Sequence, residues 1–264
     1  KLAENLKDIS AERIQTELVK MLISPHPEMM RTAYELGLTR VILPEFDACM
    51  KTPQNTPHHC CTVGEHILHS LDYVRADRVL RITMLLHDMG KPKMKTTDEN
   101  GRDHFKGHGE ESERIANEVL HRLKMDNDTI KKVTKLVKWH DVRTQPTPKA
   151  VRKAMNKLGE ELYPLLLQVQ YADTMAQSTY QREEKLERIH KVKVIYEQII
   201  EEKQCFSIRN LAVNGKDLIA IGITQGKQIG EILNILLEDV LEEPSHNTKE
   251  YLLELAKNKI GQEA

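Results

Sequence analysis

The sequence is poor in glycine, proline and aromatic residues, and it has no long apolar run. Its 264 residues include 12 glycines and 10 prolines, and aromatic residues make up only 4%. The remaining mixture, rich in Leu, Ile, Glu and Lys, favours helix over sheet. No run approaches the roughly 18–20 apolar residues that span a bilayer, and no signal peptide opens the chain. The composition therefore predicts an all-α, cytoplasmic protein without membrane contact.

Cysteine content and net charge exclude two further classes of protein. The four cysteines form no C-x-x-C pair and two are adjacent, so a disulfide framework is not expected. Charged residues make up 30% of the chain, but the formal net charge is only −1. Global charge therefore gives no argument for a nucleic-acid partner, and any RNA contact would depend on local basic stretches. Three such stretches are Lys91, Lys93 and Lys95; Lys131, Lys132, Lys135 and Lys138; and Lys149, Arg152, Lys153 and Lys157.

The pattern of apolar residues predicts one helix after another. The segment 79–89 is apolar almost all round, which is typical of a buried helix, and Gly90 is predicted to end it. Residues 98–109 read as a polar loop. Asn127 or Asp128 is predicted to cap the helix that runs to about Trp139, and Asn247 to cap the last helix.

The histidines give the first indication of chemistry, since nine of the twelve lie between positions 58 and 140. His140 extends an apolar helix stripe, Asp173 falls on another, and His87-Asp88 ends the most apolar helix. Carboxylates are rarely buried without a partner, so the pattern indicates a shared cation. The alternative is that each histidine is hydrogen-bonded separately in the core, with Asp173 pairing with an arginine or capping a helix.

Imidazole and carboxylate ligands together suit one or two divalent ions of Mn, Fe, Co, Ni, Zn or Mg. Such ions lower the pKa of bound water and polarise phosphoryl oxygens, which suits phosphoester hydrolysis. Lys91 could bind a substrate phosphate, or it could simply interact with the dipole of the preceding helix. A closed shell of four ligands would instead indicate a structural site.

At these residues the chain resembles the HD superfamily of metal-dependent phosphohydrolases. His87-Asp88-Met89-Gly90-Lys91 is similar to its H-D-x-G-K signature. The ordered residues that extend the match are His66, His108, His140 and Asp173. The resemblance implies a helical bundle in which His66, His87, Asp88 and Asp173 bind one metal. It also implies that His108 and His140 serve a second metal with Asp88 bridging. Asp88 and Lys91 are the predicted catalytic residues.

A narrower resemblance, covering nearly the whole chain, is to bacterial CCA-adding tRNA nucleotidyltransferases that carry an HD domain. It is based on four segments: Leu43-Pro44-Glu45, Thr62 to His66, Gly107 to Glu110, and Asn214 to Leu218. Cys61 departs from it, because the family often has an aromatic residue there. The Gly-Ser and Asp-x-Asp motifs of the polymerase head are missing, so the chain is expected to begin within the neck and not to add nucleotides. The implied domains are neck-like helices at 1–50, an HD domain at 51–180 and a helical, RNA-contacting tail at 181–264.

Two functions follow as hypotheses. The first is an HD-type phosphodiesterase acting on 2′,3′-cyclic nucleotides or small phosphoesters. The alternative is the tRNA-binding body and tail of a CCA-adding nucleotidyltransferase, in which the HD site is secondary. The sequence indicates no oligomeric state.

Overall fold

The computed structural model describes residues 2–223 and 226–261, and helices account for 68% of the chain. In chain order the α-helices of the described residues are Ala11–Ile23 (α1), Met29–Glu35 (α2), Thr39–Ile42 (α3), Pro44–Lys51 (α4), Val63–Leu71 (α5), Arg78–Leu86 (α6), Lys91–Met94 (α7), His108–Arg122 (α8), Asn127–Trp139 (α9), Pro148–Leu158 (α10), Tyr163–Ala176 (α11), Arg182–Glu201 (α12), Gly215–Ala220 (α13), Gly226–Glu242 (α14) and Lys249–Gly261 (α15). The all-α prediction is confirmed. None of the described helices is both long and apolar enough to cross a membrane.

The described strands form one small antiparallel hairpin, in which Thr96–Thr97 (β1) pairs with Asp103–His104 (β2). The prediction of a plain loop over 98–109 is therefore wrong at Asp103–His104, which form β2, and from His108, where α8 begins. Strands of two residues are too short to show the alternation by which a strand is recognised in sequence. Asp103 is the buried residue of this hairpin, and it anchors the hairpin to the loop at Asn55.

Side-chain caps fix where several helices begin. Thr62 and Asp77 accept hydrogen bonds from the first-turn amides of α5 and α6, and Thr147 does so for α10. Asp126 caps α9 by accepting from Thr129 N at 2.8 Å, so the predicted caps Asn127 and Asp128 are wrong. The sequence offers three capping-type residues in a row there, and only the backbone geometry selects among them.

The chain divides into two compact units. The first consists of Lys1–Arg143 with Pro164–Ile189, and the second of Thr144–Tyr163 with His190–Ala264. In the first unit, one apolar core is built from α1, α4, α5, α6, α8, α9 and α11. The domain limits predicted at residues 50 and 180 come from the family resemblance, and they stay predictions.

In the second unit, α10 packs on α14, and α13 and α15 also pack on α14. Asn214 and Asp217 form a capping box at the start of α13. Thr248, rather than the predicted Asn247, accepts from the first-turn amide of α15. Asn247 instead connects to Ala212 N and to Asn210 O.

A sharp turn after α6 presents the most polar part of the first unit's core. The helix ends at Leu86, three residues before the predicted end, and His87 to Gly90 form the turn that leads into α7. Gly90 has φ −78°, so it does not adopt the left-handed conformation that glycine often has after a helix. A Cβ there would lie 2.6 Å from both His108 O and Ser112 N. Glycine is therefore required because the start of α8 packs directly on this turn.

Candidate metal centre

Four imidazoles surround the Asp88 carboxylate in the first unit. Asp88 Oδ2 lies 3.4 Å from both His66 Nε2 and His87 Nε2. Asp88 Oδ1 lies 3.5 Å from both His108 Nε2 and His140 Nε2. Two potential three-residue metal-binding groups thus share Asp88, and the ligand atoms within each lie within 4.8 Å of one another.

The hydrogen bonds of the Nδ1 atoms indicate which ring nitrogen carries the proton. Nδ1 of His87, His108 and His140 each donates to the carbonyl three residues earlier, at 2.7, 2.8 and 2.6 Å. His66 differs, because its Nε2 donates to Asp173 Oδ1 at 3.0 Å, while its Nδ1 lies 3.4 Å from Ala176 O. With the proton on Nδ1, Nε2 of neutral His87, His108 and His140 carries a lone pair, as in metal-bound histidines whose other nitrogen bonds to a carbonyl.

The Nε2 atoms then face one another in two pairs. His66 and His87 approach to 3.2 Å, and His108 and His140 approach to the same distance. Two lone pairs at that separation repel unless a proton or a metal ion lies between them. Neither Asp88 oxygen accepts a hydrogen bond of good geometry, although the residue is only 1% exposed. These groups fit divalent cations, since a buried carboxylate and four imidazole nitrogens converge.

Lys91 supplies the nearest positive charge. Its Nζ lies 2.6 Å from Asp88 Oδ2 and donates to Gln54 Oε1 at 3.0 Å, and the residue is 6% exposed. Burial raises the pKa of Asp88, but Lys91 and the imidazoles outweigh it and hold that pKa well below its usual range. The carboxylate is therefore ionised. Lys91 also lies over the Phe105 ring, 5.5 Å from its centroid.

Asp173 reaches the same centre from α11. Its Oδ1 lies 3.0 Å from His66 Nε2 and 3.8 Å from His87 Nε2. Its Oδ2 accepts from Gln177 Nε2 at 3.0 Å and from Arg143 at 3.4 Å. Burial raises its pKa, but His66 and Arg143 bring the pKa well below the usual range. All six predicted metal ligands thus converge, and Asp173 adds Oδ1 to the His66–His87 group.

The pKa values of the histidines depend on two opposing effects, since burial lowers them and the nearby carboxylates raise them. Burial lowers the pKa of His87 to about 3, more than Asp88 raises it. Burial also lowers the pKa of His108. At His140 burial acts in the same direction, but Asp88 outweighs it and raises the pKa. Neutral imidazoles at His87 and His108 are the form that binds metal.

A cavity of about 630 Å³ opens onto the centre, within the first unit. Asp88, Lys91, His108, His140 and Asp173 line it, while His66 and His87 lie behind. The sequence reasoning missed the other residues that line the cavity, including His58, His59, Arg102, Arg143, Gln177 and Lys185. Gln177 lies one helical turn after Asp173, and that spacing was the signal that could have found it.

Many residues of the predicted basic stretches form ion pairs with acidic residues of the protein itself. Lys93 pairs with Glu111 at 3.1 Å and Lys95 with Asp103 at 2.8 Å. Lys138 pairs with Glu113 at 2.7 Å. In the second unit, Lys149 and Lys153 both pair with Glu242, and Arg152 is buried and bonded to main-chain carbonyls. The proposed contact of Arg152 with RNA is therefore wrong, because a buried guanidinium cannot reach a phosphate.

Comparison with known proteins identifies the family. A family described as "tRNA nucleotidyltransferase domain 2 putative" matches residues 109–256, and one described as "Probable RNA and SrmB- binding site of polymerase A" matches residues 1–50. A CC-adding tRNA nucleotidyltransferase from Thermus thermophilus is 31% identical over 86% of this chain and 52% of its own length. An A-adding tRNA nucleotidyltransferase from Deinococcus radiodurans is 32% identical over 86% of this chain and 54% of its own length.

A multifunctional CCA protein from Janthinobacterium is 34% identical over 44% of this chain and 29% of its own length. The chain thus spans about half the length of the first two relatives. These similarities support the alternative hypothesis, a module related to tRNA nucleotidyltransferases, better than the phosphohydrolase hypothesis, which they do not address. Because the first match covers more than half of the chain, the protein belongs to the tRNA nucleotidyltransferase family that this domain defines.

Proposed function

We propose that this module carries a metal-dependent phosphohydrolase site of the HD type, acting on 2′,3′-cyclic nucleotides or small phosphoesters. The observation that carries the proposal is the sharing of Asp88 between two imidazole pairs whose Nε2 atoms face one another. The cavity at the centre argues against a purely structural site, which would be closed to a substrate. The order of the six residues in the HD resemblance adds to the case.

Each residue would have a definite task. His66, His87, Asp88 and Asp173 would hold one divalent ion, and His108, His140 and Asp88 a second. Such ions supply polarisation of a phosphoryl oxygen and activation of water. The backbone carbonyls at Met84, Phe105 and Val137 keep protons on the outer imidazole nitrogens and so hold the inner ones ready to bind. Lys91, which lines the cavity, would donate to a phosphoryl oxygen.

The test combines metal analysis with hydrolysis of 2′,3′-cyclic AMP. We expect purified protein to retain a transition metal and to hydrolyse the substrate. Asp88→Ala should lose the metal and at least about 100-fold in kcat/KM, since even residues that only support metal ligands contribute 10–100-fold. Asp128→Ala is the control, because Asp128 is exposed and pairs with Lys132 on the surface of α9. Equal turnover by Asp88→Ala and the parent protein would refute the assigned site.

We infer a second function, tRNA binding, from the family membership and from the match of residues 1–50 to a probable RNA-binding family. Binding through phosphates should weaken steeply with salt. Lys131, an exposed member of the second basic stretch, is the residue there to test. We expect Lys131→Ala to lower the salt slope of tRNA binding by about 1, measured by filter binding, with Lys227→Ala as the control. No tRNA binding at low ionic strength would contradict this proposal.

A further inference from the structure

The cavity contains three cations that no carboxylate neutralises. Arg102, Lys106 and Lys185 line its wall, and none has a carboxylate oxygen within 4.0 Å in the part of the chain that the structure describes. The lysines of the predicted stretch at 91–95 differ, since each has an acidic partner. The positive charges of these three side chains are therefore available to bind an anionic ligand.

Lys185 is the most informative of the three. Its ammonium is half-buried, yet its partners are neutral: Gln177 Oε1 at 2.6 Å and His58 Nδ1 at 3.1 Å. Asp173 and Asp141 act on it only from beyond ion-pair distance. Withdrawing an ammonium from water without a counter-ion is unfavourable, so an anion in the cavity would stabilise it.

His58 connects this lysine to the hairpin side of the wall. It lies within electrostatic range of Lys185, Arg102 and Arg143. Arg143 is already paired, with Asp141 at 3.0 Å and Asp173 at 3.4 Å. The open charges near His58 are thus those of Lys185 and Arg102, which come from α12 and from the turn between β1 and β2.

We propose that Lys185 and Arg102 form an anion subsite that binds a second phosphate group of the substrate, apart from the phosphate that reacts at the metal centre. This inference depends on the proposed function for the identity of the reacting phosphate. The second phosphate is either a 5′-phosphate of a mononucleotide or the last phosphodiester of an RNA chain. A guanidinium and an ammonium suit both, since each binds phosphate oxygens by charge-assisted hydrogen bonds.

The test compares three substrates that share the same reacting group. They are 2′,3′-cyclic AMP, its 5′-phosphorylated form, and the dinucleotide ApA ending in a 2′,3′-cyclic phosphate. We expect kcat/KM to be about tenfold higher for at least one of the two-phosphate substrates, the scale of one charged hydrogen bond. A gain with the 5′-phosphate alone would identify a mononucleotide subsite, and a gain with the dinucleotide alone would identify an RNA subsite.

Lys185→Gln and Arg102→Gln should each remove most of that ratio. The ratio of kcat/KM values is the readout because Lys185 also contacts Gln177, which donates to Asp173. A disturbance of Asp173 affects all three substrates equally and leaves the ratio unchanged. Among the described residues, the Arg102 side chain makes no hydrogen bond or ion pair with a predicted metal ligand, so its variant tests the subsite without that complication. Lys93→Gln, which removes an exposed lysine paired with Glu111, is the matched control and should leave the ratio unchanged. Equal kcat/KM for all three substrates, or a ratio unaffected in both variants, would overturn the subsite.

Failure of the proposed function would be recognised separately. If no substrate is hydrolysed with any divalent metal, calorimetric Kd values for the same three nucleotides decide the subsite. A tighter Kd for a two-phosphate nucleotide, lost in Lys185→Gln, would support it. Equal Kd values would contradict it.

Discussion

Each unit buries a charged side chain, and the two side chains differ in the hydrogen bonds that the protein gives them. Arg152 in the second unit is 4% exposed and Asp88 in the first is 1% exposed. Arg152 donates to Leu241 O at 3.1 Å, Gln204 Oε1 at 3.0 Å and Glu242 O at 3.3 Å. Asp88 accepts no hydrogen bond of good geometry from the described residues. Its ion-pair partner is Lys91, whose Nζ lies 2.6 Å from Oδ2. A buried charge whose hydrogen bonds the protein supplies stabilises a fold, whereas one that the protein leaves short of hydrogen bonds indicates a ligand.

The comparison also explains why basic residues in sequence are a poor guide to RNA contact. Arg152 ends up holding the C-terminal carbonyls of α14, a common use of arginine near a helix end. Lys185, which no basic stretch contains, keeps an ammonium without a carboxylate partner. Burial and pairing, which the sequence does not display, decide between the two uses.

The largest effect should come from metal binding at Asp88. A ligand that binds only the folded state stabilises it by about 4 kcal/mol when its free concentration is about 1,000 times its Kd. We expect Mn²⁺ to raise the urea midpoint of unfolding of the parent protein by a corresponding amount relative to EDTA. In Asp88→Asn the Mn²⁺ effect should vanish.

Arg152→Met supplies the control for that experiment, since it should lower stability but keep the Mn²⁺ effect. An equal Mn²⁺ effect in Asp88→Asn and the parent would mean that the stabilising ion binds elsewhere.

The next effect belongs to Arg152 itself. Arg152→Met keeps the apolar stem but leaves the carbonyls of Leu241 and Glu242 without these donors. We expect a loss of about 3 kcal/mol in the free energy of unfolding, given about 1–3 kcal/mol for each buried group left unsatisfied. Urea denaturation followed by circular dichroism measures it. Lys227→Met, at a side chain that is 90% exposed, should change stability by less than about 0.5 kcal/mol.

The sequence predicted the centre because helical periodicity places single polar residues on apolar stripes. His140 and Asp173 were found in that way, and His87-Asp88 by its place after the most apolar helix. Periodicity could not show which loops approach the centre. His58, Arg102 and Arg143 lie in irregular segments, whose side-chain directions follow no repeat. The hairpin and the caps of α9 and α15 were missed for the same reason, since each depends on local backbone geometry.

Glycine gives a third contrast between the units. At Gly90 in the first unit a Cβ would meet backbone atoms of α8 at 2.6 Å, whereas at Gly230 in the second nothing lies within 4 Å. We expect Gly90→Ala to cost about 2 kcal/mol of stability through overpacking, and to weaken metal binding because His108 starts α8. Gly230→Ala, inside α14, should stabilise by about 0.4–1 kcal/mol. Thermal unfolding of both variants checks the signs, and a neutral Gly90→Ala would show that α8 can shift without cost.

The smallest effect is expected at Asp103, a second buried carboxylate in the same cavity. It tests whether a charge that the protein satisfies differs in behaviour from one that it does not. Asp103 lines the cavity and is 5% exposed. Both carboxylates pair with a lysine, but Asp103, unlike Asp88, also accepts hydrogen bonds from Asn55 N at 2.7 Å and from Thr97 Oγ1 at 2.7 Å. Burial raises its pKa, but those partners outweigh burial and lower the pKa from 3.8 to about 2. Asp103 should therefore behave like Arg152, with its charge satisfied by the protein and its contribution independent of metal.

Because the folded pKa of Asp103 lies below the unfolded value, its ionised form stabilises the fold above about pH 4 and loses that contribution as the pH falls towards 2. Asp103→Asn should thus be less stable than the parent by about 1 kcal/mol at pH 6, and the gap should narrow steadily between pH 4 and pH 2.5. Asp128→Asn, at an exposed carboxylate, should show almost no gap at either pH. If the gap at Asp103 instead depended on added Mn²⁺, that carboxylate would belong with Asp88, and partner count alone would not separate structural from ligand-binding charges in this protein.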